Sequence, residues 1–320
     1  MNLSIVIPVY NEVDNLPLLH ESIHSALDDH PDLIWEAVLV DDGSSDGSIE
    51  VLEEMAISDP AHICVVALRR NFGQTAAIAA GIDHAQGDVI ILLDADLQND
   101  PADIPMMIEK LNQGYDVVSG WRINRQDTFV TRTLPSRIAN QLISVVTGVH
   151  LHDYGCTLKA YRREVLTGFR LYGEMHRFIP AYANSVGARM IEVPVNHHPR
   201  KYGKTKYGLN RTVKVILDLF TVKFLISFAH KPIYLFGGAG LLLIAASLLA
   251  YLFLTIRKFT SGIDILPSPL FQMSTMFIIL GFQSILMGLI AELLARTYHE
   301  SQAKPTYTVR KVIRNNLVAV

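Results

Sequence analysis

The chain has 320 residues, half of them hydrophobic and 18% charged, with a formal net charge of -3. That composition excludes a disordered chain, and the near-neutral charge excludes a general nucleic-acid binder, which needs a basic surface to displace counterions. A mean hydropathy of +0.25 is high for a water-soluble enzyme, so an apolar excess is expected in membrane segments.

From Leu3 to Val193 short β-branched runs alternate with helical stretches, the pattern of a parallel sheet flanked by helices. Strands are predicted at Leu3–Pro8, Glu36–Val40, Ile63–Leu68, Asp88–Leu93, Tyr115–Ser119 and Ala188–Val193, all nearly continuous apolar runs suited to burial on both faces. Helices are predicted at Asn15–Leu27, Ser48–Ala56, Gln74–His84 and Asp103–Asn112, each punctuated by Asp, Gly or Pro. Cys64 and Cys156 are too few and too far apart for a disulfide framework or a zinc site, and read as reduced packing residues. The N-terminus lacks a basic stretch followed by a long apolar run, so no cleaved signal is expected and the first domain should stay in the cytosol.

Between Arg200 and Lys231 the composition changes. Arg200, Lys201, Lys204, Lys206, Arg211, Lys214, Lys223 and Lys231 stand against one acid, Asp218, and are interleaved with Leu209, Val213, Ile216, Leu217, Phe220, Phe224 and Leu225. Cations with an apolar face at helical spacing suggest a helix lying in the interface of an anionic membrane; a solvated basic helix is the alternative. Pro232–Ile256 and Leu270–Ile290 are each long enough to cross about 30 Å of hydrocarbon, and together predict a transmembrane hairpin. Its loop carries only Arg257 and Lys258, whereas Arg296, Lys304, Arg310, Lys311 and Arg314 follow it, so the positive-inside rule places both termini in the cytoplasm. Ser284, Gly288, Ala291 and Ala295 share one face, which suits helix packing or subunit contact. Glu292 has Arg296 as an i, i+4 partner.

The chemistry is expected at the carboxyl ends of the strands, where α/β ligand sites form. Asp94-Ala95-Asp96 leaves the run VIILL, and two acids at i and i+2 can share a hard divalent cation, with Gln98 adding a neutral oxygen. Alone, this tripeptide is also compatible with solvated loop acids. Pro8-Val9-Tyr10-Asn11-Glu12 follows the first strand and Asp41-Asp42-Gly43-Ser44 the second, so three acid-bearing strand ends converge. Neither a G-x-G-x-x-G fingerprint nor a P-loop occurs, which argues against a nicotinamide or flavin site. Asp42 can instead accept hydrogen bonds from a base or ribose while a metal carries the diphosphate, the logic of a nucleotide-sugar site.

The blocks IVIPVYNE, VDDGSSDGS, NFGQTAAIAAGI, LLDADLQNDP, GWR, DYGCTLKAYRREV and EVPVNHHPRKYGKTKYG resemble the polyprenyl-phosphate glycosyltransferases, inverting GT-A enzymes that include dolichyl-phosphate mannose synthase. The resemblance covers about residues 3 to 211. DYGCTLKAYRR and DADLQN, with a two-helix anchor behind them, look like the bacterial branch that loads 4-deoxy-4-formamido-L-arabinose onto undecaprenyl phosphate.

The resemblance implies that Pro8, Tyr10, Glu12 and Asp42 line the nucleoside pocket, with Asp94 and Ala95 at the nucleotide sugar. It places Asp94, Asp96 and Gln98 around Mg2+ or Mn2+, and Arg122, Arg200 and Lys206 at the phosphates. A guanidinium forks onto phosphate oxygens and a lysine adds a mobile charge. Arg122 and Arg200 would also serve the acceptor phosphate. Asp94, Asp96, Asp153 and Arg122 form the catalytic set, Asp153 positioning the sugar or acceptor. This chain has Thr157 and Leu158 where the family has Gly and Phe, which leaves the role of Lys159 open. Arg137, Asn140, Gln141 and Ser144 share one face of a predicted helix, with Ile138, Leu142 and Val145 on another, and Arg132 and Arg137 could hold the acceptor phosphate. Solvated helix charges are the alternative there. His197 and His198 read as structural or solvated.

The expected architecture is therefore an α/β GT-A domain over residues 1–206, with a Rossmann-like, mostly parallel sheet. An interfacial helix over 207–231 follows, then a membrane hairpin over 232–296 (spans 232–256 and 270–292) and a cytosolic tail over 297–320. The expected reaction moves a sugar from a UDP-sugar, in preference to a GDP-sugar, to a polyprenyl phosphate for envelope glycan or lipid modification. The bacterial relatives imply a homo-oligomer, a tetramer, in the inner membrane. A processive polysaccharide synthase needs more spans and a Gln-x-x-Arg-Trp motif, and an inactive scaffold would have lost the acids or arginines.

Overall fold

The computed structural model describes residues 2–123, 140–141, 143–145, 147–167, 171, 175–199, 233–262, 264–301, 306–315 and 317–319. The chain divides into two compact units, Met1–Val222 with Pro305–Val320, and Lys223–Lys304. Arg125, Arg132, Arg137, Arg200, Lys206 and the predicted interfacial helix at 207–231 lie outside the described residues.

The first unit is built on a nine-stranded sheet in the order β7-β5-β6-β4-β1-β2-β3-β8-β9. All six predicted strands form: β1 (Asn2–Val9), β2 (Ile34–Asp41), β3 (Ile63–Leu68), β4 (Val89–Leu92), β5 (Val117–Trp121) and β7 (Met190–Pro194). The neighbours β4, β1, β2 and β3 run parallel, as their apolar runs imply. Three strands that the sequence reading did not predict make the sheet mixed. β6 (Lys159–Arg162) lies antiparallel between β4 and β5, β8 (Val309–Arg314) antiparallel on the edge of β3, and β9 (Leu317–Ala319) antiparallel on β8.

Strand parity decides which helix each face receives. Leu3, Ile5, Ile7 and Val9 of β1 pack in one buried cluster with Leu16, Leu19, Ile23 and Leu27 of α1 (Leu16–Leu27), Leu52 and Met55 of α2 (Ser48–Ser58), and Ile104, Met107, Ile108 and Leu111 of α4 (Ile104–Asn112). α3 (Gln74–His84) is alanine-rich and packs against β1 and β2. Cys64 and Cys156 are both free and buried, as expected of packing residues.

The tail after the hairpin is bound into this unit by more than its strands. Tyr307 donates its hydroxyl to Asp83 Oδ2 at 2.8 Å, Lys311 pairs with Glu53, and Arg314 reaches both Glu36 Oε2 at 2.7 Å and the His84 carbonyl at 2.6 Å. The helical residues 140–141 and 143–145 correct one expectation. Asn140 and Ser144 face inward with Ile143, and it is Val145 that is 72% exposed. Asn140 Nδ2 donates to the His152 carbonyl at 2.7 Å, so Asn140 is taken up in local packing, while Gln141 is exposed.

The second unit is a pair of helices, α6 (Ile233–Ser261) and α7 (Pro269–Ser301); α5 (Ile179–Ser185) precedes them in the first unit. Their apolar windows, Phe236–Thr260 and Pro269–Ala291, have hydropathies of 2.4 and 1.9. At 1.5 Å per residue both exceed the roughly 30 Å of a bilayer core. Only 17% of each window is buried, and Leu242, Leu249 and Phe253 are more than half exposed. These are therefore not core helices of a water-soluble domain, and they mark the chain as membrane-associated.

Gly240 and Gly281 lie at the crossing, where a β-carbon on either would collide with the other's carbonyl oxygen. Nearby, Ser284 Oγ donates to the Phe236 carbonyl at 2.7 Å and Ser247 Oγ to the Ser274 carbonyl at 2.6 Å. The predicted face of Ser284 and the buried Gly288 thus serves packing within the hairpin, where small residues permit close approach and hydroxyls find partners without water.

Candidate active site at the carboxyl edge of the sheet

β1 and β2 end side by side, with Val9 paired to Asp41, and the loops that follow are joined by side chains. The Asn11 amide donates to Ser44 Oγ at 3.0 Å, Ser45 N to Asn11 Oδ1 at 2.8 Å, Glu12 N to Ser48 Oγ at 3.0 Å and Val13 N to Asp46 Oδ2 at 3.1 Å. Asn11 adopts φ +52°, a left-handed conformation that asparagine tolerates. Pro8, Tyr10 and Glu12 are partly exposed, while Ile7 and Val9 are buried. Three of the four predicted nucleoside residues thus share the open side of this strand end, and Asp42 does not.

Asp42 is 3% exposed. Its two oxygens accept from the amides of Phe72 at 2.7 Å and Gly73 at 2.9 Å. Burial pushes its carboxyl above the usual range, the two amides pull it back, and the neighbouring Asp41 adds to the rise. The sequence reading gave this carboxylate to a base or ribose. In the structure both of its oxygens hold the loop after β3. Gly43, at φ +71°, lies so close that a β-carbon would sit 2.6 Å from the Arg70 carbonyl carbon, so this turn needs glycine twice over.

The same loop reaches the paired acids. Gln74 Nε2 donates to Asp94 Oδ1 at 2.9 Å, and Gln98 N to Asp96 Oδ1 at 3.2 Å. Asp94, Asp96 and Gln98 are partly exposed and alternate with the buried Ala95, Leu97 and Asn99. Three oxygen-bearing side chains are therefore partly open to solvent in the turn that follows β4. An all-oxygen set with two carboxylates fits a hard divalent cation and offers little to a soft one. Leu97 at φ +60° is a strained backbone in a bulky residue, of the kind found at functional turns.

His197 and His198 brace this loop. Asn99 and His197 form an antiparallel bridge, His198 N donates to the Gln98 carbonyl at 2.9 Å, and the His198 ring meets Asp100 Oδ2 at 3.0 Å. Their structural reading holds.

Arg122, just after β5, forks onto Asp153, with Nε 2.7 Å from Oδ2 and Nη2 3.0 Å from Oδ1. The side chains are only 14% and 4% exposed. Asp153 Oδ1 also accepts from Gly155 N at 3.1 Å, and Glu192 accepts from the Asp153 amide at 3.2 Å. This buried bidentate pair fixes the guanidinium plane. Lys159 turns inward, 3% exposed, and donates to the carbonyls of Cys156 and Tyr154. Burial lowers its pKa. In this chain it is a brace for the DYGCT turn.

Sequence reasoning missed Gln74, Glu192 and the pairing of Arg122 with Asp153. Gln74 was visible only as part of the NFGQT block.

An α/β sheet whose carboxyl edge gathers an Asp-x-Asp turn and an acid-clamped loop, with no glycine-rich phosphate cradle, defines a transferase of the GT-A class. The glycosyl transferase family 2 profile matches residues 4–169, and the chain belongs to that family. It is 43% identical over 98% of its length to a dodecaprenyl-phosphate galacturonate synthase of Rhizobium johnstonii, covering 93% of that protein. It is 40% identical, again over 98% of its length, to an undecaprenyl-phosphate 4-deoxy-4-formamido-L-arabinose transferase of Edwardsiella ictaluri, covering 94% of it. Glucosyl-3-phosphoglycerate synthase from Mycobacterium tuberculosis, solved with Mn2+ and UDP-glucose, shares the fold. The TM-score is 0.52 at 18% identity, over 70% of this chain and 78% of that one.

Proposed function

We propose that this glycosyltransferase moves a sugar from a UDP-sugar to a polyprenyl phosphate at the cytosolic face of a membrane, with inversion at the anomeric carbon. One observation carries the reading. Two relatives, at 43% and 40% identity over nearly their whole length, are named for different sugars but both for a polyprenyl phosphate. The acceptor is the part their names share, and the choice of UDP rests on the resemblance to the 4-deoxy-4-formamido-L-arabinose branch.

A phosphate monoester is already anionic near neutral pH, so the acceptor needs no general base. Its oxygen bonds to the anomeric carbon as the bond from that carbon to the diphosphate breaks, and UDP departs. Pro8, Tyr10, Glu12 and Asp42 orient the nucleoside, and Asp94, Asp96 and Gln98 would hold Mg2+ or Mn2+. When bound, that ion supplies charge neutralisation for the diphosphate. Arg122 presents a fixed positive charge to phosphate, and Asp153 is its positioning residue. Arg200, Lys206, Arg132 and Arg137 are assigned to the donor and acceptor phosphates on sequence grounds.

The eight cations before the hairpin and five after it, against two in its loop, support cytosolic flanks. The membership of both flanks in one compact unit supports their lying on the same side of the membrane. The anionic-lipid contact of the segment at 207–231 and a tetrameric state belong to the same proposal.

The test is nucleoside-diphosphate release by detergent-purified protein given UDP- and GDP-sugars, with and without undecaprenyl phosphate, and with Mg2+, Mn2+ or EDTA. Release that needs lipid phosphate, metal and one UDP-sugar is the expected result. Release independent of lipid would overturn the acceptor, and release with a GDP-sugar alone would overturn the donor.

A further inference from the structure

At the opposite edge of the sheet, where β2 and β3 begin, three side chains converge that the transferase reaction does not use. His20 and His24 stand four residues apart on α1, so they share a helix face. Asp59 ends α2, and His62 precedes β3. His24 Nε2 lies 2.9 Å from Asp59 Oδ2 and 3.1 Å from His20 Nε2, and His20 Nε2 lies 3.3 Å from the same oxygen. We propose that His20, His24 and Asp59 form a binding site for a divalent transition-metal ion of the Zn2+ type, distinct from the oxygen-ligand site at the carboxyl edge.

Unaided, these atoms cannot all be satisfied. An imidazole nitrogen offers either one hydrogen or one lone pair. Asp59 Oδ2 can only accept, so if both Nε2 atoms donate to it, the two nitrogens face each other at 3.1 Å with no hydrogen bond between them. A cation at the centre satisfies them together. Ligands about 2.05 Å from a tetrahedral Zn2+ are about 3.3 Å apart, and the three separations here are 2.9, 3.1 and 3.3 Å. Small outward movements of the side chains complete the triangle.

The outer contacts set the ring states that such an ion needs. His24 Nδ1 lies 2.9 Å from Asp28 Oδ2. A carboxylate has no hydrogen to give, so Nδ1 donates to Asp28 and keeps its hydrogen, while Nε2 donates to Asp59 in the metal-free protein and an entering ion would displace that proton to take the Nε2 lone pair. His62 Nδ1 donates to the other oxygen of Asp59 at 2.9 Å, and its ring stacks on Trp35 at 4.1 Å between centroids. Asp59 Oδ2 is thereby aimed at the histidines. The two histidines are 26% and 27% exposed, and an adjoining cavity of about 420 Å³, lined by His20, Glu21, His24, Ser25, Asp28 and Asp29, leaves room for water at a fourth position. Two imidazoles and one carboxylate suit Zn2+ and its neighbours far better than Mg2+. Bound there, the ion would tie α1 to the connection between α2 and β3.

The test is a calorimetric titration of the full-length, chelator-stripped protein in detergent with Zn2+, in excess Mg2+ to fill the oxygen-only site. One equivalent of Zn2+ is expected, retained in Asp96→Asn and weakened at least 100-fold in His20→Gln and His24→Gln. His62→Phe, which keeps the stacking, should weaken it by about tenfold. A Zn2+-dependent rise in melting temperature should appear in wild type and Asp96→Asn, and be absent from the two glutamine variants. Absence of Zn2+ binding by wild type would overturn the proposal. So would binding lost in Asp96→Asn but kept in His24→Gln.

Discussion

The two edges of one sheet make opposite use of the same polar residues. At the carboxyl edge, Asp42, Asp94 and Asp96 sit in turns whose amides and glutamines hold each carboxylate in place. At the amino edge, the Asp59 carboxylate is surrounded by imidazoles. The first set offers only oxygen atoms, which suit a hard cation, whereas the second adds nitrogen donors that such a cation disfavours. A parallel α/β unit thus brings chemistry-bearing residues to both ends, and ligand type separates their partners.

The sharpest break in that comparison is Asp96→Ala. It removes one of two carboxylates from the all-oxygen set, and charge neutralisation of the diphosphate is worth several kcal/mol. Turnover should fall by about 10³-fold or more, read as UDP release, with the melting temperature of the metal-free protein little changed.

Arg122→Ala comes next, because it leaves the Asp153 carboxylate buried without its partner. Loss of one member of a buried pair costs about 3–5 kcal/mol, measurable by denaturant unfolding, and turnover should fall as well. Arg122→Lys should recover part of the stability but little of the rate, since an ammonium cannot reproduce the fork.

Gly43→Ala should cost at least about 1–2 kcal/mol from positive φ alone. The clash with Arg70 should also displace the loop held by Asp42, which would appear as a raised KM for the donor.

The smallest effect concerns Asp46. Burial would raise its pKa, but donation from the Ser48 hydroxyl and from the amides of Val13 and Ser48 outweighs this and holds it below the ordinary 3.8. A depressed carboxylate contributes stability that is fully present above its unfolded-state pKa and is lost as pH falls through the folded one. Asp46→Asn should therefore lower the melting temperature slightly at pH 6, and the gap should close below about pH 3.8.

Much of the carboxyl edge was legible because strand periodicity and burial act over neighbouring residues. The apolar run VIILL fixed where Asp94 and Asp96 emerge, and VDDG after β2 placed Asp42. What escaped depends on contacts between distant segments. Arg122 and Asp153 are 31 residues apart, and His24 and Asp59 are 35 apart, although the i, i+4 histidines were in plain view. β6 was missed because Lys-Ala-Tyr-Arg is four residues bounded by charges. β8 was missed because Val-Arg-Lys-Val-Ile-Arg carries three cations and reads as a solvated tail until Glu53 and Glu36 meet two of them. Asn140 misled for a related reason, since it turns inward and is satisfied by the His152 carbonyl, 12 residues away.

The strand β8, which covers the edge of β3, also orders events during synthesis. β3 ends at Leu68 and its partner begins at Val309, so the ribosome makes the whole hairpin before that side of the sheet can close. At about 5–20 residues per second, the edge of β3 stays open for tens of seconds. An open edge is a template for wrong pairing, so the strand that covers this side of the catalytic domain is made only after both long apolar helices of the chain.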